Sequence, residues 1–139
     1  MEFSLKKIVT IILCVVSSLS FGSIEQKSFS AADLRVLNVE NFSGNVSISV
    51  SSDGKAYVRA NKVHFGSSCF MTIERNVNAL NVKVRSHRKR NANDCKVHFD
   101  IRVPRAIALN LYNISGNFNV TGTSGSLKLR LGSGSANIN

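Results

Sequence analysis

This sequence predicts an all-β fold, and three observations carry the prediction. Apolar and polar residues alternate with period two wherever the pattern is clear, as in Leu80, Val82, Val84 and in Val97, Phe99, Ile101, Val103. Clusters of Ser, Asp, Asn and Gly punctuate the alternating segments, and no segment has a convincing helical period.

Residues 1–22 read as a secretory signal peptide. Lys6 and Lys7 precede the apolar run of residues 8–16, and small residues fill 17–22, with cleavage after Ser20 or Gly22. The run is well short of the roughly 20 residues of a membrane span, which makes a retained anchor the lesser alternative. Cys14 follows Ile11, Ile12 and Leu13 instead of the small residues of a lipoprotein site, so it belongs to the discarded segment. Residues 23–139 form one domain, and losing Glu2, Lys6 and Lys7 leaves it a net charge of about +9 from the formal +10.

The strands follow in order. Only residues 30–34 look mildly helical, with Ser30 placed to cap a single turn. Alternation then marks residues 35–39, Val46–Val50, residues 56–60, 69–74, 80–84 and 97–103, with turns at 52–54, 66–68 and 91–94. Cys69 is in phase with Met71 and Ile73, and Cys95 with Val97 and Phe99, so both thiols point inward. An exported chain meets an oxidising compartment, where Cys69 and Cys95 would bond if strand pairing brings their Cα atoms within roughly 7 Å. A simple meander would instead leave them as two buried thiols.

The last third carries a repeat. Leu109, Leu111, Ser115, Gly116, Asn119 and Val120 recur 18 residues later as Leu127, Leu129, Ser133, Gly134, Asn137 and Ile138. Leu37, Val39, Ser43, Gly44, Val46 and Ile48 fit the same template upstream. So short a period suits one coil of a β-solenoid, with leucines inside and Ser-Gly-Asn corners, Gly giving the backbone freedom to turn. The alternative is that Ser-Gly pairs recur because hairpins favour them.

The segments LNVENFSGNVSI, KAYVRANKV, LNVKVR and VHFDIRVPRAIALNLYNISGNFNVTG together resemble the bacterial putative adhesin family, exported domains of unknown function related to auto-transporter adhesin head domains. The resemblance implies antiparallel, curled strands leading into a short solenoid, and it implies no catalytic residues. Family members continue through further coils where this sequence stops at Asn139. An open last coil would expose Leu127, Leu129, Leu131 and Ile138, and two expectations follow: a chain cut from a longer protein, or self-association through that coil.

The most conspicuous chemical feature is the basic run Arg85, Arg88, Lys89 and Arg90, followed by Lys96, with Lys83 and Arg102 on outward phases nearby. Such a loop can bind a polyanion, for example lipopolysaccharide, an acidic glycan or another carbohydrate, or it can serve only solubility. Specific nucleic-acid recognition is not expected, because no aromatic residues are interleaved with the cations. Neither an enzyme nor a cofactor is expected. His98 and Asp100 share one outward strand face but pair more readily as surface charges than as a catalytic dyad, and His64, Cys69, Cys95 and His98 do not converge as a zinc site. The sequence therefore predicts an exported adhesin-like interaction domain or envelope scaffold, periplasmic or at the cell surface.

Overall fold

The computed structural model describes residues 23–87 and 95–139. The signal-peptide segment and Arg88, Lys89 and Arg90 lie outside them. Among the described residues every regular element is a strand: β1 (Ser23–Ser30), β2 (Val36–Ser43), β3 (Val46–Val50), β4 (Lys55–Phe65), β5 (Cys69–Arg75), β6 (Ala79–Ser86), β7 (Cys95–Val103), β8 (Ala108–Ser115), β9 (Phe118–Val120), β10 (Leu127–Ser133) and β11 (Ala136–Ile138). They make one open, eleven-stranded sheet.

The sheet consists of two ranks of strands. In the first, β10, β8, β2 and β6 lie parallel in that order, and β5 adds to β6 as an antiparallel edge. In the second, β11, β9, β3 and β7 are parallel, and β4 and then β1 continue antiparallel. The ranks meet where Ser43 of β2 pairs with Lys96 of β7. Three short corners carry the chain from rank to rank: β2 to β3, β8 to β9, and β10 to β11.

Alternation explains the packing. The inner strands send every second residue inward, and the inward residues of both ranks join one buried cluster. Leu37, Val39, Leu80, Val82, Leu109 and Leu111 come from the first rank; Val46, Ile48, Val97, Ile101, Phe118 and Val120 come from the second. Fully burying a side chain the size of Phe118 contributes on the order of 1.5–3 kcal/mol. The β-branched residues of β2, β3 and β7 also suit the pleated backbone.

The three Ser-Gly segments lie side by side in parallel register. Leu37 pairs with Leu109, Val39 with Leu111 and Ser43 with Ser115, and β10 sets Leu127, Leu129 and Ser133 against Leu109, Leu111 and Ser115. Past the corner, Val46 and Ala136 flank Phe118, and Ile48 and Ile138 flank Val120. Among the described residues β10 and β11 each pair on one side only, so Leu127, Leu129 and Leu131 are half-buried and Ile138 is exposed where Leu109, Leu111 and Val120 are sealed.

Two local readings change. Residues 31–34 form a tight turn and no helix: Ser30 ends β1, its hydroxyl accepts from the Ala32 amide, and Asp33 takes φ 62°. A short Asp side chain tolerates that left-handed conformation where a helix would not. The cysteines do bond, with Cα atoms 5.7 Å apart. β6 pairs with β2 and not with β7, so no strand of a meander separates Cys69 from Cys95, and the bridge ties the start of β5 to the start of β7.

Candidate ligand-binding faces

The corners come first, because they fix what each rank displays. Gly44, Gly116 and Gly134 have φ of 113°, 130° and 118°, a region that L-residues rarely enter. They also form a column: a Cβ on Gly134 would lie 2.0 Å from the Gly116 carbonyl oxygen, one on Gly116 2.1 Å from that of Gly44, and one on Gly44 2.2 Å from that of Val97. Backbone bonds run through the column, with the Gly44 amide donating to Ser115 O and the Gly116 amide to Ser133 O. Buried beside it, Asn41 Nδ2 donates to Val97 O at 3.0 Å and Asn113 Nδ2 to Gly44 O at 2.9 Å. Ser43 is buried, and Ser115 and Ser133 share its register.

A second ladder runs outside the corners. The Ser135 amide donates to Asn117 Oδ1, the Asn117 amide to Asn45 Oδ1, and the Asn45 amide to His98 Nδ1 at 2.9 Å. An Nδ1 that accepts must be unprotonated, so this ladder requires the neutral imidazole. Partial burial, and to a smaller extent the Lys96 charge, push the His98 pKa below its ordinary value. His98 is thus oriented by the Asn45 backbone, not by Asp100.

Of the basic run, only Arg85 and Lys96 lie among the described residues, and they sit on strands of different ranks near the junction where Cys95 Sγ approaches Arg85 O at 4.0 Å. Arg85 lies on β6 in the first rank and forms an ion pair with Glu40 at 3.6 Å; Lys96 lies on β7 in the second rank. Lys83 and Arg102 are divided in the same way. Outward phase along a strand is legible in sequence, but the rank to which a strand belongs is not.

Each rank instead displays its own outward rows. On the second rank, Arg59 faces Asp100 and Tyr57 faces Arg102, whose guanidinium lies 4.8 Å from the ring centroid. The Tyr57 hydroxyl donates to Asp53, whose carboxyl is lowered to about 2 chiefly by that bond. On the first rank, Asn110 Nδ2 donates to Asn38 Oδ1 and Asn38 Nδ2 to Asn81 Oδ1, both at 2.9 Å, making an amide ladder across β8, β2 and β6. Lys128 extends this row next to Asn110. The adjacent row contains Arg130, Tyr112, Glu40 and Lys83, and Arg130 sits 5.9 Å from the Tyr112 ring centroid. The two rows bound a shallow trough of about 480 Å³. Sequence reasoning passed over Lys128, Arg130 and Tyr112, whose alternation with leucines is the one signal that would have found them. Among the described residues no group of three or more His, Cys, Asp or Glu is placed to hold a metal ion.

No family model and no curated protein matches the chain. Solved structures do. A putative cell adhesion protein from Clostridium sporogenes is similar at 14% identity with a TM-score of 0.52, over 83% of this chain and 58% of that one. Putative adhesins from Bacteroides fragilis (13% identity, TM-score 0.45, 78% of this chain and 53% of that one) and Parabacteroides distasonis (15%, 0.44, 85% and 56%) are also similar. The chain thus spans little more than half the length of these proteins.

Proposed function

We propose that the chain is an exported, non-enzymatic, adhesin-like interaction domain of the bacterial cell envelope. The observation that carries the reading is the column of Gly44, Gly116 and Gly134, which stacks β2–β3, β8–β9 and β10–β11 in parallel register. We read these units as successive coils of a β-solenoid, a form that holds outward side chains in straight rows and suits display more than chemistry. The fold it shares with the Clostridium sporogenes cell adhesion protein supports the reading, and the buried Cys69–Cys95 disulfide fits an oxidising compartment.

A whole-cell accessibility assay combined with a glycan array tests the proposal. Surface labelling together with selective glycan binding is the expected result. Periplasmic retention with no ligand would replace it with a scaffold role.

A further inference from the structure

We infer that the outward face of the first rank, centred on Tyr112 and Arg130, binds an acidic polysaccharide whose carboxylate-bearing chain lies across the strands. The residues that carry it, Tyr112, Lys128 and Arg130, are other than the basic run at 85–96, and the inference would stand whether or not the protein mediates attachment.

The charge balance comes first. Of the carboxylates on this face, Glu40 is engaged by Arg85 at 3.6 Å, and Glu74 lies at the far end, opposite Asn81. Lys83, Lys128 and Arg130 have no carboxylate partner among the described residues. With Arg85 set against Glu40, the cations Lys83, Lys128 and Arg130 outnumber the one remaining carboxylate, Glu74, and this excess of positive charge on an open trough complements an anionic ligand. Arg130 is also held beside Tyr112, so its planar fork is partly ordered before it meets a carboxylate.

The amide row argues for sugar as the carrier of the charge. Because Asn110, Asn38 and Asn81 already bond to one another along the trough wall, each amide is fixed in orientation with donor or acceptor capacity to spare. A surface of fixed donors and acceptors suits hydroxyl groups, which both donate and accept. Tyr112 is 40% exposed and offers a flat apolar platform for a pyranose ring. From Lys128 to Asn81 the row crosses three interstrand spacings, roughly 14 Å, which is room for a short stretch of chain. Single-stranded nucleic acid fits less well, since its bases need repeated aromatic platforms and Tyr112 is the one aromatic lining the trough among the described residues.

The test measures binding of the purified protein to polygalacturonate at physiological salt, with neutral dextran and duplex DNA as comparison ligands. The expected result is binding to polygalacturonate in preference to both. Lys128→Gln/Arg130→Gln should weaken it by about tenfold or more, and Tyr112→Ala by several-fold. Arg88→Gln/Lys89→Gln/Arg90→Gln should leave it essentially unchanged. These are surface changes, and equal melting temperatures check folding; were the double variant destabilised, Lys83→Gln would carry the judgement with an expected loss of several-fold. No binding by the unaltered protein, affinity indifferent to the trough variants, or DNA bound as tightly would each overturn the inference. Cell-surface exposure is measured separately, so failure of either reading leaves the other intact.

Discussion

Gly116 stacks directly on Gly44: the amide of Gly44 donates to Ser115 O, and a Cβ on Gly116 would lie 2.1 Å from the Gly44 carbonyl oxygen. No side chain fits between two backbones that close, and the φ of 130° at Gly116 adds strain for any L-residue. Gly116→Ala should therefore cost at least about 2 kcal/mol. Gly66→Ala, where a Cβ meets nothing within 4 Å, should stay within about 0.5 kcal/mol. Urea unfolding of both variants checks the contrast.

Asn113 is completely buried, and its Nδ2 donates to Gly44 O. Asn113→Leu leaves that carbonyl without its partner in the interior and should destabilise by about 1–3 kcal/mol. The same replacement at exposed Asn110 should cost much less. Thermal unfolding of the two variants tests this.

Reduction of Cys69–Cys95, which closes a separation of 26 residues, should lower stability by roughly 3 kcal/mol. Thiol titration of denatured, unreduced mature protein should find no reactive thiol, and two would contradict the bridge.

The strands themselves were largely legible, because Leu37, Val39, Val97 and Ile101 alternate with polar neighbours as a half-buried strand requires. β1 was not, since SIEQKSFS is mostly exposed and lacks a clear alternation. Nor was the order of pairing: β2 lies between β6, 43 residues on, and β8, 72 residues on, and local pattern does not select such distant partners. The same limit hid the outward rows. Arg85 and Lys96 are near in sequence and belong to different ranks, whereas Lys128 and Asn38 are far apart in sequence and share one row.

His98 gives the fold a dependence on pH. Its folded pKa lies below the ordinary value near 6.5, so the neutral ring's contribution is fully present above that pH and is lost as pH falls through the folded value. Protonation also removes the acceptor for the Asn45 amide. The melting temperature should fall between pH 7 and pH 5, and His98→Ala should be less stable at pH 7 with a flatter dependence. An equally steep fall in the variant would move the effect elsewhere.

Cross-strand disulfide trapping tests the parallel stacking of β2 on β8 most directly, because Asn38 and Asn110 pair across it with 72 residues between them. Mild oxidation of Asn38→Cys/Asn110→Cys should form an intramolecular bond that shifts gel mobility, while Asn38→Cys/Asn119→Cys, with its cysteines in different ranks, should keep both thiols free. Bonding in the second variant and none in the first would contradict the stacked-coil account.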